Sequence, residues 1–178
     1  MKKILFILSL LFCVSALSAQ KIKTKEVDKF TKSKIITTSW DRWFRKTHSV
    51  SLTYNMGVRC CLKAIDDELF LNAEIYVPVM YYFDEDSGLV LLLDNDETIT
   101  LNVPEGGIAE KGGGDLSGID GYCFKTVFDL TPELLHVLRE HKVLSVRIIA
   151  KDKHFDADLK AKSQDYLIRL IKLVEEAK

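Results

Sequence analysis

Val50, Leu52, Tyr54 and Met56 alternate with Ser51, Thr53 and Asn55, the period-two signature of a strand with one buried face. Gly57 punctuates the run, and the alternation continues over residues 58–65. Asp66-Asp67 then predicts a hairpin turn. Leu69, Leu71, Ala73, Ile75 and Val77 form the next apolar face, and Pro78, which cannot donate to a ladder, marks a bend or an edge. Residues 79–83 lead into the turn Asp84-Glu85-Asp86-Ser87-Gly88. Residues 89–93 are apolar at every position, which predicts a strand buried on both faces. After Asp94-Asn95-Asp96, Ile99, Leu101 and Val103 point inward opposite Thr98, Thr100 and Asn102.

Strand patterning resumes at Tyr122, Phe124 and Phe128, and again at Leu144, Val146, Ile148 and Ala150. Between them the start signals predict a short helix near 131–141. Thr131 is placed to cap it, Pro132 sits where its missing N–H costs nothing, and Leu130 and Leu135 are spaced as a hydrophobic staple. Residues 156–177 read as a longer amphipathic helix, with Leu159, Tyr166, Leu167, Leu170, Ile171 and Val174 on one face. Asp156 and Asp158 then lie near its positive end and Lys172 near its negative end. Short connections between apolar strands favour antiparallel neighbours. The expected fold is therefore one α+β domain over residues 35–178. It is mainly an antiparallel sheet or sandwich of about seven to nine strands, with the C-terminal helix packed on an apolar face. A purely β sandwich with the helix outside is the alternative.

Residues 1–19 have a different pattern. Lys2 and Lys3 precede an apolar run, and Ser15, Ala16, Ser18 and Ala19 gather before Gln20, as in a signal peptide. The run stops short of the roughly 20 apolar residues that a spanning helix needs. The mature chain is thus expected to be exported, periplasmic or extracellular, with no transmembrane segment. Lipidation at Cys13 is the alternative, and the bulky Phe12 before it argues against that processing. Residues 20–34 read as a basic N-terminal arm, with six lysines against Glu26 and Asp28. Residues 1–19 hold two lysines and no acid, so without them the 25 basic and 26 acidic side chains become 23 and 26, a charge of −3. That balance argues against a nucleic-acid partner, which calls for a basic excess. The run Asp28-Lys29-Phe30-Thr31, followed by Thr37, Thr38 and Trp40, resembles uncharacterised small exported proteins of Gram-negative gut bacteria. The resemblance implies the compartment and no activity.

Candidate chemistry is sparse. Residues 104–121 hold seven of the nine glycines, including Gly112, Gly113 and Gly114. A P-loop needs G-K-[ST] at its end, and here Lys111 precedes its glycines; Ser117 takes the last glycine position of a dinucleotide fingerprint. The segment also carries a charge of −3, which repels phosphate. It reads as a recognition loop, a lid or a mobile tether, most mobile over residues 108–119. Trp40, Arg42, Trp43 and Arg45 form an aromatic and basic cluster suited to a sugar ring or an anionic surface, or to capping one end of the core. Alternation puts Cys60 inside and Cys61 outside, and it points Cys123 away from Phe124, so Cys61 and Cys123 are the disulfide candidates. The acidic turns lack calcium-loop spacing, the four histidines form no ligand pair, and no nucleophile elbow is present, so no metal, cofactor or catalytic residue is assigned. The expected function is a non-catalytic binding or envelope-associated module with a protein or glycan partner. An extracytoplasmic hydrolase with a site assembled from scattered residues is the competing class.

Overall fold

Aspartates in the left-handed region shape two of the hairpins. Asp66 (φ 53°) turns one strand pair and Asp96 (φ 65°) another, a conformation whose cost Asp and Asn tolerate better than other side chains. The computed structural model describes residues 20–48, 54–112 and 121–178. In chain order the first strands are β1 (Ile22–Val27), β2 (Lys34–Thr38), β3 (Asp41–His48), β4 (Tyr54–Ile65), β5 (Glu68–Val77), β6 (Tyr82–Phe83) and β7 (Gly88–Leu93). They are followed by β8 (Thr98–Asn102), β9 (Gly107–Ile108), β10 (Glu110–Lys111), β11 (Tyr122–Asp129), β12 (Val143–Ala150) and β13 (Lys153–Asp158). The helices are α1 (Pro132–Glu140), α2 (Ala161–Gln164) and α3 (Tyr166–Ala177).

All pairings are antiparallel. The large sheet runs β1-β2-β4-β5-β11-β10, and β3 joins it beside β4. The 12-residue β4 makes room for two neighbours on one edge: β3 pairs with its first part, through Cys60, and β2 with Lys63 to Ile65. A four-stranded sheet runs β13-β12-β7-β8, and β6 pairs with β9 as a short ribbon. Inward residues of both sheets, among them Val58, Leu62, Leu71, Ile75, Leu89, Leu91, Val146 and Ile148, belong to one continuous core. Helix α3 adds Leu167, Leu170, Ile171 and Val174 to that core, lying against β1, β2, β4 and α1. Thr131 accepts from Leu134 N at 3.4 Å, Pro132 opens α1, and Leu130 and Leu135 are both buried. The α+β architecture, with a short helix and a C-terminal helix on mainly antiparallel sheet, is the one the sequence patterning leads to.

Four local readings are corrected. Residues 153–158 form β13 and not the start of a helix, because Phe155 and Ala157 continue the inward alternation across from Ile148 and Val146. The helix begins later, after Leu159. In β7, Leu89, Leu91 and Leu93 are buried while Val90 and Leu92 are half-buried. Their cross-strand neighbours Arg147, Thr100, Ser145 and Thr98 make that face polar. The lysine-rich residues 20–34, read from sequence as a basic arm ahead of the domain, form an edge strand and a turn of the large sheet, since β1 pairs with β2 from Thr24 to Val27. Within the glycine-rich segment, β9 and β10 are paired, and Ala109 is 1% exposed with its N–H bonded to Tyr81 O at 2.9 Å. Residues 108–111, the first part of the segment expected to be most mobile, are therefore held in short paired strands. Residues 113–120 lie outside the described residues, as do residues 1–19 and 49–53.

Candidate functional site

Side-chain parity assigns the outer face of the large sheet, and strand register then lines up its members. Arg42 lies opposite Arg59, Arg59 opposite Glu74, and Glu74 opposite Lys125, a row of charges across β3, β4, β5 and β11. The next row holds Arg45, Gly57, Tyr76 and Cys123. Glycine is required in that row by contact with the backbone, since a Cβ at Gly57 would sit 2.4 Å from Phe44 O. A register shift between Arg42 and Phe44 creates a bulge in β3. The bulge lets Trp43 and Phe44 both turn inward while Arg42 and Arg45 both turn outward.

The centre of this face is a buried carboxylate. Glu74 is 8% exposed, and its Oε2 accepts from Tyr76 OH at 2.8 Å and from Arg59 Nη1 at 3.3 Å. The Arg59 guanidinium also lies 5.5 Å from the centroid of the Trp40 ring. Trp40, Arg59, Glu74 and Tyr76 thus form one connected assembly, with a cation over an aromatic face and an anion receiving charge-assisted bonds. Such an assembly fixes the positions of its members, and the exposed Arg42, Arg45 and Lys125 extend it towards solvent.

The expected site residues are therefore divided. Trp40, Arg42 and Arg45 share the outer face. Trp43 does not, because it is 2% exposed, stacks on Tyr166 at 6.0 Å and donates from Nε1 to Ser163 O at 3.0 Å. It holds the α2–α3 segment against β3 and presents no ring for a ligand. Gly112 (φ 68°) closes the end of β10, its N–H bonded to Gly121 O at 3.2 Å. Gly112 stands at the far edge of the sheet, four strand spacings from Arg45, on the order of 19 Å. The aromatic–basic cluster and the glycine turn are accordingly separate surfaces. Gly113 and Gly114 lie outside the described residues.

The cysteines also depart from expectation. Cys60 and Cys61 are both buried, at 0% and 2% exposure, and Cys60, Cys61 and Cys123 are free thiols. Parity does put Cys61 and Cys123 on the same face. Register keeps them apart, because Cys61 lies opposite Asn72 and Cys123 opposite Tyr76. That offset spans two strands and four residues, on the order of 15 Å, against a disulfide limit of about 7 Å between Cα atoms. Burial pushes both thiols up to about 11, with Lys23, Arg59 and Lys63 opposing the rise at Cys61. Both are poor nucleophiles.

Glu74, Arg59 and Tyr76 are the site residues the sequence reading missed. The available signal was parity: Glu74 and Tyr76 interrupt the stripe of Ala73, Ile75 and Val77 at outward positions. Elsewhere a depression of about 190 Å³ lies between β8, β11 and α1, lined by Thr100, Asn102, Pro104, Val127, Asp129 and Leu134 among others. Asp129 is its one titratable group. Among the described residues no group of three or more His, Cys, Asp or Glu side chains is placed to hold a metal ion. No helix among them is long and apolar enough to cross a membrane. Compared with protein-family models, curated proteins and solved structures, the chain matches none.

Proposed function

We propose that the protein is an exported, non-catalytic binding module that recognises an acidic glycan of the cell envelope. Its recognition surface is the outer face of the large sheet at Trp40, Arg42 and Arg45. The observation that carries this reading is the register that brings Arg42 and Arg45 to one face beside the Trp40–Arg59–Glu74–Tyr76 assembly. Exposed guanidinium groups supply paired donors for carboxylate or sulfate. A half-buried indole supplies an apolar face for a sugar ring. Glu74 acts behind them: by holding Arg59 it holds the indole, so the surface is ordered before any ligand arrives and binding costs less entropy. Export rests on the signal-peptide pattern of residues 1–19.

Affinity electrophoresis tests the reading. Gels containing a uronic-acid or sulfated polysaccharide should retard the protein, and gels containing a neutral glucan should not. Replacing Arg42 and Arg45 together by alanine should weaken retardation at least about tenfold, as expected for two charge-assisted contacts. Equal mobility in all gels would overturn the glycan assignment. Recovery from the envelope fraction with Gln20 as the first residue would support export, and an intact Met1 end in the cytoplasm would refute it.

A further inference from the structure

The turn joining β1 and β2 adds no residue to the core, yet it is closed by a dense set of hydrogen bonds. Phe30 N and Thr31 N both donate to Asp28 Oδ1, at 2.8 and 2.7 Å, while Lys32 N reaches Asp28 O and Asp28 N reaches Ser33 O, each at 2.9 Å. These bonds hold the Asp28 carboxyl below the usual carboxylate range. They also turn its charge towards the backbone. The ordered turn displays Phe30 at 81% exposure with Val27 beside it at 61%. Lys29 Nζ lies 4.8 Å from the Phe30 ring centroid, Lys32 Nζ bonds Lys29 O, and Lys25, Lys29 and Lys32 are all exposed.

The surrounding charges favour an anionic partner at the apex. The acids of the hairpin and its neighbours are Glu26 on β1, Asp28 in the turn itself, and Asp66 and Asp67 of the β4–β5 turn with Glu68 just beyond, and Lys34 Nζ donates to Lys178 O at the end of α3. Asp66 Oδ1 accepts from Lys34 N at 2.8 Å, and Asp67 faces Lys178 Nζ at 3.6 Å. Because Asp66 meets the hairpin at Lys34, residues 29–32 project beyond that acidic turn. β1 is the terminal strand of its sheet, so one side of the hairpin is open. An exposed aromatic and an aliphatic residue ringed by lysines suit a bilayer interface, where rings enter past the headgroups and ammonium groups stay at the phosphates.

We infer that the Val27–Phe30 hairpin tip docks the protein on anionic phospholipid bilayers, with Phe30 and Val27 inserted and Lys25, Lys29 and Lys32 at the phosphates. The docking is reversible, since two small apolar insertions and three lysines fall well short of a spanning helix. It leaves the Trp40–Arg42–Arg45 surface of the proposed glycan site open and does not depend on that site.

Co-sedimentation of the purified protein, its N-terminus fixed by intact mass, tests the inference. The probes are vesicles of pure phosphatidylcholine and vesicles containing about one-third phosphatidylglycerol. Binding is expected only to the anionic vesicles and should fall as salt is raised. Phe30→Ser should weaken it about tenfold, and each of Lys29→Gln and Lys32→Gln about fivefold. Phe30→Trp should retain binding and give a blue-shifted emission on the vesicles. Arg42→Ala with Arg45→Ala should leave vesicle binding unchanged, which separates this inference from the glycan reading. Three results would overturn it: no sedimentation with anionic vesicles at low salt, equal sedimentation with neutral ones, or indifference to Phe30→Ser. Tighter, Phe30-dependent binding to a soluble acidic polymer than to the vesicles would assign the tip to a protein or glycan instead.

Discussion

Cys60 and Cys61 are neighbours in the chain and are buried on opposite faces of one sheet by different materials. Around Cys60 the cover is apolar: Trp43 stacks on Tyr166, and the Tyr166 hydroxyl donates to Cys60 O at 3.2 Å and Asp41 O at 3.3 Å. On the Cys61 face the cover is charged, supplied by Lys23, Arg59, Glu74 and Lys63, and further along the same face Tyr76 covers Cys123. The first kind of burial follows from hydrophobic transfer and close packing. The second costs desolvation of each charge and is repaid only through mutual pairing. A core face can be shielded by any well-fitting apolar side chain, whereas the outer face works only as a complete set. That difference makes the outer face the better candidate for recognition, because its groups are held in place and still reach solvent through Arg42, Arg45 and Lys125.

The largest expected effect lies on the apolar face. Trp43→Ala removes the ring that joins β3 to α2 and α3, and by the usual cost of truncating a buried aromatic it should destabilise by about 3–5 kcal/mol. Urea unfolding should show the shift in midpoint. For a domain with total stability of about 5–15 kcal/mol, that can leave much of the protein unfolded at 37 °C. A variant that melts near the wild-type temperature would mean that α2 and α3 are held by something other than this stack.

On the charged face the expected effect is smaller and has a distinctive form. Glu74→Ala removes a carboxylate acceptor shared by Arg59 (20% exposed) and Tyr76. Discounted for that residual exposure, the cost should be about 1–3 kcal/mol. The informative measurement is the double variant Arg59→Met with Glu74→Leu, which removes both charges and keeps apolar volume. It should cost less than the two single losses added together, because neither charge is left unpaired. Additive losses would show that the two side chains are energetically independent and would dissolve the assembly as a unit.

How much of this contrast the sequence discloses depends on which contacts carry it. The Cys60 face is a period-two matter: Val58, Cys60, Leu62 and Ala64 announce it from local spacing. The short helix was legible for the same reason, since Thr131 and Pro132 act on their own neighbours. The Cys61 face is legible only through register, because Arg59 meets Glu74 and Trp40 only after β4 has paired with β5 and β3. For Trp43 the sequence offers both a ligand-facing and a core-capping reading, and only the β3 bulge turns it inward, since nothing in Arg42-Trp43-Phe44-Arg45 announces which residue is the extra one. Asp156 reads as helical from the sequence because Leu159 fits both a helical stripe and the end of β13. The disulfide expectation failed on register alone, as parity was right and distance was not.

Thiol labelling sharpens the comparison. Cys60, Cys61 and Cys123, the three cysteines among the described residues, are buried and their thiols are raised by desolvation, Cys61 and Cys123 to about 11. In the folded wild type near neutral pH an alkylating reagent should therefore modify none of them within the time that unfolded protein is labelled completely. Glu74→Ala should open the outer face selectively, so that Cys61 and Cys123 label ahead of Cys60, read by peptide mass. Cys60 labelling first would mean that the apolar face is the looser one, and the contrast between the two kinds of cover would be reversed.

The smallest expected effect comes from a pair with better geometry and a worse position. Arg147 Nε and Nη2 donate to Asp156 Oδ1 and Oδ2 at 2.7 and 2.8 Å, a two-pronged contact that Arg59 and Glu74 lack. Both partners are about half exposed, so water already satisfies them in the unfolded chain, and Arg147→Ala should cost under about 1 kcal/mol. Its signature is a pH dependence. The Arg147 bonds hold the Asp156 carboxyl below the ordinary carboxylate value, with burial opposing weakly. A carboxyl lowered on folding contributes stability that is present above its unfolded pKa of about 4 and is lost as pH falls through the folded value. The wild type should thus lose a little stability across that acid window, and Arg147→Ala should lose less of it, with the two unfolding curves converging at the acid end. If the gap between them stayed constant down to acid pH, Arg147 would be contributing through the packing of its stem and not through its charge. A gap as large as that for Glu74→Ala would mean that contact geometry, and not shielding from water, decides what an ion pair on these sheet faces contributes.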